Sequence, residues 1–145
     1  MNEDQDATSE PSLPPVVGRA AAAMHIGEVA QRTELSLRTL RHYDEVGLLR
    51  PSGRTDGGFR LYEEADVEKL LLIGRMKPLG FSLDEMADAL TTIAALRSSD
   101  AAAVADAHEG LRALMAEAQD RRAKLRRQLA MADEFIDLLQ RKRLD

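Results

Sequence analysis

The chain has 145 residues, enough for one domain with an appendage, and its apolar content of 44% is that of an ordinary globular protein. It has no cysteine, which excludes disulfides, thiolate zinc sites, iron–sulfur clusters and thiol redox switching, and it has no apolar run long enough to span a bilayer. The net charge of −5 argues against nucleic acid as a total, but the charges are unevenly placed along the chain.

Residues 1–23 hold Pro11, Pro14 and Pro15 with Glu3, Asp4, Asp6 and Glu10 against Arg19, and they lack a periodic apolar face, so a disordered tail is expected. No charged-then-apolar signal segment opens the chain, and a cytoplasmic location is the default expectation. Aromatics are scarce (three Phe, two Tyr, no Trp), so the core has to come from aliphatic and small residues, and helix is favoured almost throughout. Organised sequence begins near His25. Ile26, Val29 and Ala30 give one face of a short helix ending near Arg32, and Thr33 and Glu34 make a tight connection. Ser36 is placed to cap a second helix whose buried stripe is Leu37, Leu40 and Val46, with Gly47 as the residue that ends it. Arg38, Arg41, His42 and part of Tyr43 then point away from that stripe.

Leu48 to Tyr62 contains Pro51, Gly53 and the turn sequence Asp56-Gly57-Gly58, so Leu49, Phe59 and Leu61 are expected in two short strands of a wing. A third helix runs from Glu63 to about Lys77 with Val67, Leu70, Leu71 and Ile73 or Met76 inward, and Pro78 and Gly80 stop it. Ser82 and Glu85 form a capping box ahead of a fourth helix with the stripe Leu83, Met86, Ala87, Leu90, Ile93 and Ala94. After a break at 97–100 comes the longest pattern in the chain. Val104, Leu111, Ala118, Leu125, Ala132 and Leu139 recur every seven residues, and Met115, Leu129 and Ile136 fall four residues after three of them. About 38 helical residues would span about 57 Å. A second copy of the same helix is the simplest partner for such a seam, and a helix packed back on its own domain is the alternative.

A short helix, a tight turn and a second helix bearing arginines describe a helix-turn-helix, whose second helix fits the major groove of a DNA duplex. Arg38 and Arg41 stand three apart, nearly on one face, and each guanidinium can give two parallel hydrogen bonds to guanine or to phosphate. Arg54, Arg60 and Tyr62 suit contacts to the DNA backbone. Duller readings stand beside these. Arg38 and Arg41 can pair with Asp44 or Glu45, Tyr43 and Tyr62 can be half-buried core residues, and Asp44 and Glu45, which oppose DNA, would face away from it. His25, His42 and His108 have no metal-ligand spacing, and no nucleophile elbow, zinc-protease helix or phosphate loop is present, so no metal, cofactor or catalytic activity is expected.

The strings IGEVAQRTELSLRTLRHYDEVGLLRP, GGFRLYEEADVEKLLLI and LGFSLDEMADAL, in this order and spacing, resemble the MerR family of bacterial transcription regulators over about 70 residues. The resemblance implies a mainly α fold: a winged helix-turn-helix with a small β wing, plus a long C-terminal helix forming an antiparallel coiled coil. It implies a DNA-binding domain over 24–95 (helix-turn-helix about 27–46, wing about 48–62), a linker at 96–102 and a dimerisation helix at 103–142. It implies DNA contacts from Ser36, Arg38, Thr39, Arg41, His42 and Tyr43, from Arg54, Gly58, Phe59, Arg60 and Tyr62 in the wing, and from Lys77. It also implies a homodimer joined through Val104, Leu111, Met115, Ala118, Leu125, Leu129, Ala132, Ile136 and Leu139. Such a dimer sits on a palindromic promoter site and bends and untwists it to realign elements for RNA polymerase. Family members that sense metals or redox state use cysteines near that helix, and this chain has none. Multidrug sensors carry a large C-terminal ligand domain, for which the residues after Ala95 are too few. A small organic effector and control by abundance alone both stay open. Pro78 stands where a helical residue is usual, which would shorten the third helix and shift Lys77. The competing reading is a coiled-coil adaptor with weak or no DNA binding.

Overall fold

The structure, a computed structural model, describes residues 23–144, so the tail expected over 1–23 lies outside the described residues except for its last position. The elements in order are β1 (Met24–His25), α1 (Ile26–Thr33), α2 (Leu37–Glu45), β2 (Gly53–Arg54), β3 (Arg60–Tyr62), α3 (Glu64–Met76), α4 (Leu83–Ala95) and α5 (Ala101–Leu144). A single 3-10 turn, Lys77–Leu79, follows α3. The chain divides into two compact units between Lys77 and Pro78, with α4 in the second unit beside α5.

In the first unit, α1 packs on α2 and α3, and its one-turn link to α2 is closed by local chemistry. The buried Thr33 hydroxyl donates to the Val29 carbonyl at 2.7 Å. Glu34 takes the left-handed conformation (φ 61°, ψ 21°) and its N–H returns to the Ala30 carbonyl at 2.9 Å. Ser36 then caps α2 as expected, its hydroxyl accepting the Thr39 N–H at 3.0 Å. The α2 stripe differs from the expected one. Leu40 is buried, but Val46 is 50% exposed and Leu37 lies largely at the surface, because the ring of Tyr43, one turn after Leu40, takes the core position instead. In α3, Val67, Leu70, Ile73 and Met76 turn inward, whereas Leu71 is exposed.

The sheet has the order β1-β3-β2, with both pairings antiparallel. The register is Met24↔Tyr62 and His25↔Leu61 on one side and Gly53↔Leu61 and Arg54↔Arg60 on the other. The sequence reading placed Leu49 and Phe59 in strands and did not foresee β1. Leu49 is a core residue outside the sheet, and Phe59 flanks the hairpin turn, outside the two strands. That turn is a three-residue loop. The Gly58 N–H donates to the Thr55 carbonyl at 2.8 Å, the Thr55 N–H to the Phe59 carbonyl at 2.9 Å, and Gly58 holds φ 85°, the glycine position of a bulged hairpin.

In the second unit the Ser82–Glu85 capping box forms as read, with the Ser82 N–H on the Glu85 carboxylate at 2.8 Å and the Glu85 N–H on the Ser82 hydroxyl at 3.1 Å. Helix α4 buries Met86 and Ala89 and leaves Leu83, Ala87 and Ala94 exposed, a narrower stripe than expected. It lies along the first half of α5, where Ala107 is buried and the Thr92 methyl comes 3.2 Å from the site a Cβ would take on Gly110. Val104, Leu111 and Ala118 are half-buried there. Beyond, the same seven-residue line continues with no cover. Leu125, Leu129, Ala132, Ile136 and Leu139 are exposed in the single chain, as is Met115 on the flank of the covered half. The lengths explain the change: α4 has 13 residues and α5 has 44, so the shorter helix reaches along about 20 Å of a helix about 66 Å long.

Arg121, which carried no role in the sequence reading, holds this unit's turn together. Its guanidinium sits 3.9 Å from the ring centroid of the buried Phe81, donates to the Leu79 carbonyl at 3.1 Å and bonds the Glu117 carboxylate at 2.8 Å. Gly80, with φ 84°, lets the chain pass beneath it.

Candidate nucleic-acid interface

The exposed side of α2 carries Arg38, Arg41 and His42. The cap at Ser36 fixes where this helix starts, and the burial of Leu40 and Tyr43 fixes its rotation, so the arginines at positions 38 and 41 face outward together. Among the described residues neither arginine has an ion-pair partner, so the alternative in which Asp44 or Glu45 neutralises them does not occur there. Thr39 is half-buried and receives a hydrogen bond from the Ser36 hydroxyl at 2.9 Å, so both hydroxyls belong first to the cap.

Asp44 has a different task from the one read in the sequence. It is buried, and its Oδ2 accepts from Arg60 Nε at 2.7 Å and from Arg54 Nη2 at 2.8 Å. Burial works against its charge, but the hydrogen bonds and the positive charges of Arg60 and Arg54 outweigh that, and the carboxyl titrates below its ordinary value. The Arg60 guanidinium is raised in turn by the same bond. Arg54 reaches further and donates to the Gly58 carbonyl at 3.3 Å, inside the hairpin turn. The wing is also held at its base. The Ser52 hydroxyl and the Glu63 N–H both donate to one oxygen of the buried Asp66, at the start of α3. A carboxylate from each of two helices therefore pins the wing, one near its tip and one at its base.

Two of the expected DNA contacts change. Tyr62 is fully buried, with its hydroxyl unpartnered among the described residues and its pKa raised by burial. It packs the core in the central strand, and a phosphate cannot reach it in this arrangement. Tyr43 is buried as well, and burial also raises its pKa, so its ring builds the helix-turn-helix core, as the alternative reading of this residue had it. Phe59 is 69% exposed at the wing tip, its ring 3.3 Å from where a Cβ would stand on Gly57. Lys77 is exposed in the 3-10 turn that Pro78 helps to form, and α3 ends at Met76, as the proline predicts. No cluster of three or more His, Asp or Glu able to hold a metal occurs among the described residues, and no described helix is long and apolar enough to cross a membrane.

A capped recognition helix, an outward arginine pair and a pinned β wing define a winged helix-turn-helix. The family described as MerR HTH family regulatory protein matches residues 24–93. The chain is 46% identical over 68 residues to an uncharacterised HTH-type transcriptional regulator of Pseudomonas aeruginosa, a stretch that is 47% of this chain and 52% of that protein. It is 48% identical over 65 residues to the HTH-type transcriptional activator mta of Bacillus subtilis, 45% of this chain and 25% of that protein. The chain thus spans about half or less of the curated relatives it matches. Among solved structures, the N-terminal part of the Bacillus subtilis multidrug transporter activator superposes with a TM-score of 0.52 at 32% identity, covering 84% of this chain and 99% of that one. HiNmlR, a MerR family regulator lacking the sensor domain, bound to promoter DNA, superposes with a TM-score of 0.57 at 26% identity over 83% of this chain and 87% of that one. The chain belongs to the MerR family of helix-turn-helix regulators.

Proposed function

We propose that the protein is a DNA-binding transcription regulator that docks on a palindromic promoter site as a homodimer and acts by distorting it. The observation that carries this reading is the outward pair Arg38 and Arg41 on a helix whose start and rotation are fixed by Ser36, Leu40 and Tyr43. A relative seen bound to promoter DNA supports it. The uncovered stripe from Leu125 to Leu139 supports the dimer, because an apolar line continuing past its intrachain cover asks for a second helix. In this reading residues 24–95 are the DNA-binding module, the remainder joins two copies, and RNA polymerase meets the dimer at the promoter. A regulator of this kind works in the cytoplasm, without catalysis or cofactor. The adaptor reading is disfavoured, since it leaves the arginine pair on the recognition helix and the family match without purpose.

The test is selection of a preferred duplex from a random pool, followed by titration of Arg41→Ala. The variant should bind the selected site about 1–3 kcal/mol more weakly while keeping the wild-type sedimentation profile. Equal affinity of the two proteins would remove Arg41 from the interface, and a pool with no enrichment would remove sequence-specific binding altogether.

A further inference from the structure

The buried carboxylate of Asp44 is an unexpected feature for a face meant to meet phosphates. It lies within α2, two residues beyond His42, and one oxygen holds two wing arginines that come from opposite strands of the hairpin, Arg54 in β2 and Arg60 in β3. The carboxylate itself is 7% exposed, while the Arg60 and Arg54 side chains keep 23% and 45% of their surface. A carboxylate kept only as a counter-charge would be expected at the surface, paired with one partner. Here it is shared, and what it fixes is orientation. Arg60 is held through Nε, which leaves its two terminal nitrogens without a partner among the described residues. Arg54 is held through Nη2 and braced on the Gly58 carbonyl. Both side chains keep part of their surface open to solvent, and both guanidiniums are anchored to α2 through one carboxylate.

We propose that Asp44 is a positioning residue for sequence recognition: it sets Arg60 and Arg54 as a fixed pair of phosphate donors and so locks the register of the wing's backbone contacts to the base contacts of α2. Phosphate contacts carry no sequence information directly, but they determine where the recognition helix sits. A wing tied to that helix by a shared ion pair makes one register favourable. A free wing would contact phosphate in many registers. Asp44 therefore lowers affinity for DNA in general, because it offsets one of the pair's two positive charges, and raises affinity for the correct site, because it orders both guanidiniums.

This inference rests on the DNA-binding reading above, and its test separates the two. The probes are a duplex selected from a random pool by the wild-type protein and a scrambled duplex of equal length. If the wild-type protein selects no site, the functional reading fails. If it does, Asp44→Asn, which keeps the side chain's shape and one acceptor oxygen, should bind the selected site about tenfold more weakly and the scrambled duplex more tightly, with a steeper dependence on salt. The opposed changes are the signature. Weaker binding to both duplexes in proportion would mean only a loosened fold. Tighter binding to both would mean that Asp44 is only a counter-charge. Either result, or no change, overturns the proposal. Arg60→Lys provides a second route if the Asn variant does not fold. It keeps the wing's charge but cannot give both a bond to Asp44 and a two-nitrogen edge to phosphate. It should lose discrimination, its affinity for the selected site falling further than its affinity for the scrambled duplex, and wild-type discrimination by that variant also overturns the assignment.

Discussion

Replacing Arg121 with alanine removes four contacts at once, three of them of consequence. The guanidinium stacks on a ring that is almost wholly buried, 3.9 Å from its centroid. In that setting a cation over an aromatic ring contributes about 1 kcal/mol. Its hydrogen bond to the Leu79 carbonyl, 3.1 Å, satisfies a backbone group at the end of the 3-10 turn and is worth about 1 kcal/mol. The bond to Glu117 joins partners one helical turn apart, with the carboxylate half-exposed, so it adds only about 0.3–0.5 kcal/mol. The contact to Glu85 is longer, 3.4 Å, and at the surface, so it decides nothing. The loss should be about 2–3 kcal/mol. The assay is urea unfolding followed by circular dichroism, with wild type and variant at one protein concentration, because self-association would shift the midpoint by mass action. Arg121→Lys separates the parts: it keeps a cation but not the flat fork, and should recover less than half of the loss. Amide exchange at Gly80 and Phe81 should quicken in the alanine variant before exchange in the α4 interior does. A loss below about 0.5 kcal/mol would refute the reasoning, since a summed surface effect of that size needs no staple.

Other expectations follow from single positions. Glu34→Gly should raise stability by about 0.5–1 kcal/mol in thermal unfolding, because a left-handed conformation strains any residue with a Cβ and glycine's extra entropy offsets only part of that gain. The melting temperature should fall as the pH drops from about 5 to about 3. The folded-state pKa of Asp44 lies below its ordinary value, so its contribution is complete above the unfolded value and is lost as protons bind on the way down. Glu64, lowered by its bond to Arg32, has the same sign, and Asp44→Asn should flatten the acid limb in part. Leu125→Asp, at the first residue of the uncovered stripe, should shift sedimentation from dimer to monomer and leave the helical signal of the DNA-binding unit intact, and a dimer that persists would mean the seam lies elsewhere.

The parts of this fold that can be read from the chain are those decided within a few residues. The Ser36 cap, the Ser82–Glu85 box and the glycine turn of the wing each involve partners no more than three or four positions apart. The seven-residue line of α5 is legible for the same reason, but which stretch of it is covered depends on the length of α4, and no periodicity carries that. Strand β1 has two residues and pairs with a strand some 36 positions later, so it leaves no local pattern. The aromatic Tyr43 displaced Leu37 and Val46 from the expected stripe because α2 can bury only one narrow face, and the larger ring fills it better. The outward-facing arginines of α2 are legible by type and spacing. The residues that hold the wing are not, since Asp44 meets partners 10 and 16 positions away and Arg121 reaches a carbonyl 42 positions away. A carboxylate near basic residues reads as opposition to DNA until its burial is known.

That last point resolves the tension between an acidic chain and a DNA-binding role. The net charge of −5 counts every carboxylate equally, but a phosphate backbone responds to those within about a Debye length, about 8–10 Å. Near α2 and the wing, the structure spends Asp44 on two arginines and Asp66 on a backbone N–H and a hydroxyl. Glu64 is bound by both terminal nitrogens of Arg32. Among the described residues, Arg38, Arg41 and Lys77 have no such partner. The acidic residues that remain uncompensated on this face are few, Glu45 and Asp56 among them, and both are exposed, where water and salt screen them. In the proposed role, the field that DNA would meet is set by which charges the fold has already paired. A chain with a negative total can thus leave unpaired cations on α2 without any basic run in that segment.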